Sequence, residues 1–206
     1  MAPVKLIEVA RLRGLDRVAV TDHNTIAGAL AAARLAPDLI IIGEEIKTTQ
    51  GELLAYFVAD EVPRGLTPEE TIRRLRDQGA VISVAHPFDR DRNGSWTPEA
   101  LAEILPLVDA LEVFNARAVS MAPNHQAAEA ARQAGLPGTA GSDAHSAGEL
   151  GRARLVMPPF ASPEEFQTAL ASATVRGQLS SPWVHAFSRW AVLRKATGWE
   201  RPADGS

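Results

Sequence analysis

The chain has 206 residues, a net charge of −4 and no cysteine, and its length suits a single globular α/β domain. Hydrophobic residues make up 46% of the sequence, which argues against global disorder, and the acidic balance argues against stable nucleic-acid binding. The absence of cysteine excludes disulfides, thiolate metal sites and a cysteine nucleophile. No apolar stretch approaches the roughly 20 residues that span a bilayer, and there is no signal-peptide pattern, so we expect a cytoplasmic protein without membrane contact.

Helical and extended patterns alternate along the chain. In order, we predict helix 4–13, strand 17–21, helix 27–35, strands 39–42 and 51–58, helix 68–78, strand 80–85, helix 98–105, strand 110–114, helix 125–134, strand 137–140 and helix 163–171. Thr67 and Ser162 are predicted N-caps. This alternation is typical of parallel βα units and predicts an α/β sheet or barrel. Because a strand precedes the first helix in such barrels, we expect a strand upstream of residue 1.

Polar residues follow five of the predicted strands. The carboxyl ends of parallel strands meet at one edge of the sheet, where α/β proteins place their active sites. We therefore expect these side chains to converge on one mouth. They are Asp22 and His23 after the first strand, then Glu44 and Glu45, then His86, then Asn115, and finally Asp143 and His145.

Each of these residues also has a structural interpretation. A single histidine after a strand, such as His86, is often structural, and Asp22 or Asp143 can cap the next helix. Three histidines at three strand ends, two of them beside an aspartate, point instead to a joint function. We predict that His125, within a helix, and His185, in the tryptophan-rich C-terminal segment, are structural or exposed.

Histidine, aspartate and glutamate without cysteine suit Zn²⁺, Mn²⁺ or Fe²⁺. Such ions lower the pKa of a bound water and clamp a phosphate during in-line displacement. The sequence has no Gly-x-Ser-x-Gly nucleophile elbow, phosphate-binding loop or dinucleotide fingerprint. Hydrolysis at a metal centre is the chemistry that remains.

Four short motifs resemble, in order and spacing, the metal-binding motifs of the polymerase and histidinol phosphatase (PHP) family. They are Thr-Asp-His-Asn-Thr at 21–25, Gly-Glu-Glu at 43–45, Ala-His-Pro at 85–87 and Gly-Ser-Asp-Ala-His at 141–145. The resemblance implies a distorted (β/α)7 barrel with two or three divalent metal ions. It implies the metal ligands His23, Glu45, His86, Asp143 and His145. It also implies site roles for Asp22, which would orient His23, for Asn115, and for Arg152, which would either bind the substrate phosphate or form a surface salt bridge.

The sequence departs from the family pattern in two places. The first family motif, Asp-x-His-x-His-Thr, is absent, and Met1-Ala2-Pro3 stands where related chains carry Met-x-Pro just after it. We therefore expect the natural protein to begin upstream of Met1. The second departure is Glu52, in a strand where many members carry a further metal-binding histidine. Glu52 can substitute as an oxygen ligand, or one metal site is altered; of the two, we favour the second.

The resemblance predicts three segments and one activity. The segments are an N-terminally truncated barrel domain over 1–157, a C-terminal extension over 158–200 and a disordered tail over 201–206. The activity is metal-dependent hydrolysis of a phosphoester in a small phosphorylated metabolite or nucleotide. Two alternatives stay open: a catalytically impaired remnant that serves as a binding module, and an amidohydrolase-like metal hydrolase.

Overall fold

The computed structural model describes residues 1–89 and 95–180. His185, the end of the predicted extension and the predicted tail lie outside the described residues. The helices are α1 (Pro3–Leu12), α2 (Ala27–Leu35), α3 (Pro68–Asp77), α4 (Pro98–Ile104), which a 3₁₀ turn (Leu105–Leu107) continues, α5 (Ala122–Ala134) and α6 (Pro163–Leu170). The strands are β1 (Val18–Val20), β2 (Ile40–Lys47), β3 (Glu52–Tyr56), β4 (Val81–Val84), β5 (Ala110–Asn115), β6 (Gly138–Gly141), β7 (Ala153–Val156) and β8 (Thr174–Gly177).

The predicted helices and strands all occur, with ends that differ by a few residues. Both predicted N-caps are confirmed: the hydroxyl of Thr67 accepts a hydrogen bond from Glu70 N at 3.3 Å, and that of Ser162 accepts one from Glu165 N at 3.2 Å. Strands β7 and β8, which pair with each other, were not predicted. They carry no run of buried apolar residues, because most of their positions are exposed or half-buried.

Strands β1 to β6 form one sheet in chain order. The prediction of parallel βα units is wrong at β3, which runs antiparallel to both β2 and β4, whereas the other pairs are parallel. The physical reason is the short connection over residues 48–51, which carries no helix and can join only antiparallel neighbours. As a consequence, the first residue of β3 lies at the same edge as the last residues of β2 and β4.

The sheet curls so that its two edge strands approach each other at this end. Within the described ranges, β1 and β6 are the edges. The loop after β6 crosses this gap: Leu150 packs in one hydrophobic cluster with Ile7 of α1 and Val18 of β1, and the Arg13 guanidinium donates a hydrogen bond to the Leu150 carbonyl. The count of seven strands and a strand before α1 remain predictions.

The main core lies between the sheet and helices α3, α4 and α5. Its fully buried side chains include Leu75, Ile82, Ile104 and Leu111. A separate hydrophobic cluster contains Phe166 of α6 and Tyr56 of β3, whose rings pack edge-on with centroids 5.6 Å apart. The first part of the predicted extension therefore shares a core with the sheet. Among residues 1–89 and 95–180, no helix is long and apolar enough to cross a membrane.

Candidate metal centre

Four neighbouring strands bring donor side chains to the mouth of the sheet. His23 follows β1 and pairs as an isolated parallel bridge with Glu45, inside β2. Glu52 is the first residue of β3 and His86 follows β4. The antiparallel direction of β3 is what places the start of that strand beside the ends of its neighbours.

These four side chains form one connected set of contacts. The Nε2 atom of His86 is 3.0 Å from Glu45 Oε1 and 3.4 Å from Glu52 Oε2, and the Nδ1 atom of His23 is 3.6 Å from Glu45 Oε2. One ligand atom from each of His23, Glu45 and Glu52 lies within 4.8 Å of the other two. Nitrogen and oxygen donors this close together can hold a divalent metal ion.

A second set of contacts continues from His86 along β5. The backbone N–H of His86 donates to Glu112 Oε2 at 2.8 Å, and the side-chain amide of Asn115 donates to the same oxygen at 3.2 Å. The Asn115 amide also lies 3.4 Å from Asp143 Oδ2, after β6. Asn115 therefore links two predicted metal ligands through one buried carboxylate.

His145 closes the ring of contacts. Its Nδ1 atom is 3.0 Å from the Asp143 carbonyl oxygen and 3.5 Å from Asp143 Oδ1, and its ring centroid is 6.4 Å from that of His23. The side chains of His23 and His145 are half exposed, whereas His86 and Glu45 are buried. The centre thus has a buried side, here called its floor, formed by His86 and Glu45, and a solvent-exposed side, here called its rim, formed by His23 and His145.

Burial makes the negative charges of the floor costly. It raises the pKa of Glu52, and the neighbouring charge of Glu45 raises that pKa further. Burial likewise raises the pKa of Glu112 to about 7. A cation among these carboxylates would offset the cost. The backbone is also constrained here: His86 and Asp143 have φ angles of 25° and 47°, a region that non-glycine residues adopt at a cost and that is common at functional sites.

Comparisons with known proteins identify the family. A family model described as PHP-associated matches residues 122–175. An uncharacterised protein of Methanocaldococcus jannaschii is 34% identical over 188 residues, which cover 84% of this chain and 75% of that protein. The chain belongs to the PHP family. A second uncharacterised protein of this organism is 39% identical over 119 residues, covering 55% of the chain and 66% of its own length. The chain thus spans about two thirds to three quarters of these relatives.

Two solved structures share the fold with this PHP protein. PsfC from Pseudomonas syringae superposes with a TM-score of 0.69 at 19% identity, over 95% of this chain and 90% of PsfC. A candidate metal-dependent phosphoesterase from Bifidobacterium adolescentis superposes with a TM-score of 0.59 at 19% identity, over 71% of this chain and 83% of that one. Both likenesses concern the fold alone.

The donor set of the PHP mouth fits divalent metal ions. Three imidazoles and three carboxylates surround it, and the sequence contains no thiolate that would compete for the metal. The buried contact between His86 and the carboxylates of Glu45 and Glu52 gathers one oxygen of each carboxylate within 3.4 Å of His86 Nε2. Such a set suits Zn²⁺, Mn²⁺ or Fe²⁺.

The structure brings the five predicted ligands of the PHP motifs together. Of the three other predicted site residues, one lies in the same network of contacts and two have other neighbours. Asn115 lies within the contact network, where it holds Asp143. Asp22 is exposed and its carboxylate lies against α2, so close that a Cβ at Gly28 would be 2.0 Å from Asp22 Oδ2. The Arg152 guanidinium donates to the Leu179 carbonyl oxygen at 3.4 Å. The predicted roles of Asp22 and Arg152 remain predictions. His125 is exposed on α5.

Sequence reasoning gave no role to two buried glutamates that support the PHP site. Glu112 is 3% exposed and accepts the His86 N–H. Glu149, also 3% exposed, accepts the backbone N–H of His145 and an ion-pair bond from Arg117. The signal for Glu112 was available, because a charged residue inside an apolar strand is costly unless it has partners. No comparable signal marked Glu149, which lies in a loop.

Proposed function

We propose that this PHP protein hydrolyses phosphate esters of small molecules at a centre of divalent metal ions. The observation that carries the proposal is the meeting of His23, Glu45 and Glu52 around the buried His86. Membership of the PHP family supports it, and so does the shared fold with the candidate metal-dependent phosphoesterase of Bifidobacterium adolescentis. The net charge of −4 favours a small phosphorylated metabolite or nucleotide over a nucleic-acid polymer.

The chain supplies the ligands and the frame that holds them. The metal would be held by His23, Glu45, His86, Asp143 and His145. Bound there, divalent ions supply a water of lowered pKa and positive charge opposite the phosphate oxygens.

The supporting residues fix the floor of this centre. Glu112 holds the backbone of His86 and Asn115 holds the carboxylate of Asp143, so two ligands are oriented by one hydrogen-bonded pair. Partners of this kind typically change metal affinity or activity by about 10-fold to 100-fold when removed. His23 and His145, half exposed at the rim, leave one side open to a substrate.

The test combines metal content with a substrate panel. The purified chain is stripped with a chelator, reloaded separately with Mn²⁺, Zn²⁺ or Fe²⁺, and assayed on phosphomonoesters, phosphodiesters, nucleoside monophosphates and carboxamides. We expect phosphoester hydrolysis that disappears on chelation and returns with metal. Asp143→Ala and His145→Ala should lose bound metal and activity together, whereas Glu69→Gln, on the exposed side of α3, should lose neither.

Three results would contradict the proposal. Activity that survives chelation, or that survives in both ligand variants, would show that the centre is not the catalytic site. Hydrolysis of carboxamides without phosphate esters would favour an amidohydrolase-like reaction. Retained metal without turnover of any substrate would favour a binding module.

A further inference from the structure

Strand β3, which runs antiparallel to both of its neighbours, places Glu52 at the candidate metal centre. It opens β3 opposite Lys47 of β2, at the mouth edge. Its backbone carbonyl accepts hydrogen bonds from Ala85 N at 3.1 Å and from the Trp96 indole at 3.3 Å. The backbone of Glu52 is therefore tied to both neighbouring strands and to the tryptophan beside them, and its side chain starts from a fixed point.

The side chain of Glu52 reaches the donors rather than the solvent. The residue is 8% exposed. Its carboxylate lies 3.4 Å from His86 Nε2 and within 4.8 Å of ligand atoms of His23 and Glu45. Glu45 approaches the same His86 nitrogen at 3.0 Å, so two carboxylates flank one imidazole. Two buried carboxylates this close to each other are costly unless a positive charge lies between or beside them.

Two arrangements would place a positive charge directly against both carboxylates. In the first, a protonated His86 pairs with both carboxylates and Glu52 is a structural partner. In the second, a metal ion is bound by Glu52 together with His23 and Glu45. The second explains why His23, which is half exposed and not needed for an ion pair of His86, also turns its Nδ1 atom towards Glu45.

We propose that Glu52 is a direct metal ligand and that it shifts the preference of the centre towards Mn²⁺ relative to Zn²⁺. Carboxylate oxygens suit Mn²⁺, whereas imidazole nitrogens suit Zn²⁺. With Glu52, the donors at the mouth are three carboxylates and three imidazoles; a histidine at this position would make them two and four. The inference rests on the proposed function, and it also concerns metal binding that can be measured without a substrate.

The experiment compares donor types at position 52 in the full chain. Metal-depleted wild type, Glu52→Gln, Glu52→His and Glu52→Asp are dialysed against equal concentrations of Mn²⁺ and Zn²⁺, and bound metal is measured by inductively coupled plasma mass spectrometry. Mn²⁺ affinity is measured separately by titration with electron paramagnetic resonance detection of free Mn²⁺. Glu69→Gln and Glu69→His, on the exposed surface of α3, are the matched controls.

We expect Glu52→Gln to bind Mn²⁺ at least about tenfold more weakly, since removing even an outer partner of a metal ligand has an effect of this size. Glu52→His should raise the bound Zn²⁺ to Mn²⁺ ratio by about tenfold, and Glu52→Asp should keep the wild-type ratio. The controls should match wild type. If Glu52→Gln fails to fold, the comparison of the aspartate and histidine variants still tests the donor type.

Unchanged Mn²⁺ affinity in Glu52→Gln, or equal metal ratios in the aspartate and histidine variants, would overturn the inference and assign Glu52 to the ion pair with His86. The proposed function fails differently. Intact, Glu52-dependent Mn²⁺ binding without phosphoester hydrolysis would overturn the activity and leave the ligand assignment standing.

Discussion

The buried ion pair between Arg117 and Glu149 offers a sharp test of how the mouth is held together. Arg117 follows β5 and Glu149 lies in the loop that carries Asp143 and His145; the two side chains are 8% and 4% exposed and their charged atoms are 2.9 Å apart. The Glu149 carboxylate also accepts hydrogen bonds from the Ser146 hydroxyl at 2.7 Å and from the His145 N–H at 3.2 Å. Glu149→Ala therefore removes the carboxylate that accepts hydrogen bonds from the Arg117 guanidinium, the Ser146 hydroxyl and the His145 N–H.

The expected cost follows from these contacts. Breaking a buried ion pair on one side destabilises a protein by about 3–5 kcal/mol, because a buried charge then loses a partner of opposite sign. For a chain of this size, that corresponds to a fall of about 10 °C in melting temperature. Replacing both partners, in Arg117→Met with Glu149→Leu, should cost less than the sum of the two single changes, with a coupling of about 1–3 kcal/mol.

The assay is urea unfolding of metal-depleted protein, so that metal binding does not add to the measured stability. A Mn²⁺ titration of Glu149→Ala should show weaker binding as well, because the loop that carries Asp143 and His145 loses its anchor. A loss of stability below about 1 kcal/mol in Glu149→Ala, or a coupling below about 0.5 kcal/mol, would refute the reasoning.

Three further predictions concern packing, pH and metal. A Cβ at Gly141 would lie 2.2 Å from Glu112 Oε1, so Gly141→Ala should destabilise the folded chain by about 1–3 kcal/mol in urea unfolding and weaken metal binding. The control is Gly148→Ala, where the nearest atom to the new Cβ would be 3.9 Å away. This variant should change the stability by less than about 1 kcal/mol. Burial raises the pKa of Glu44 from 4.5 to about 7, so the folded state keeps a proton that the unfolded chain releases. Stability should therefore fall by up to about 3 kcal/mol as pH rises through this range, and Glu44→Gln should flatten that slope in metal-free urea titrations; equal slopes would contradict it. Mn²⁺ at 100 times its dissociation constant should stabilise the chain by about 2.7 kcal/mol in thermal unfolding, and no shift would argue against a native-state metal site.

The sequence by itself determined the order of α1 to α6 and of β1 to β6, and it determined which polar residues stand at the ends of those strands. Short apolar strands followed at once by His or acidic residues leave those residues at strand ends, whatever the details of packing. This is why His23, Glu45, His86, Asp143 and His145 could be placed at one mouth before the structure, and the structure joins them in one network of contacts. That these five residues are metal ligands is implied by the resemblance to the PHP family and stays a prediction.

Only the tertiary structure decided which other polar residues join them. Whether Glu52 faces the mouth depends on the direction of β3, which follows from its pairing with β2 and β4 and not from its own residues. Glu112 and Glu149 find their partners 26 and 32 residues away, at His86 and Arg117. Local periodicity carries no information about such distant pairing, because a side chain's surroundings are set by the register and curl of the whole sheet.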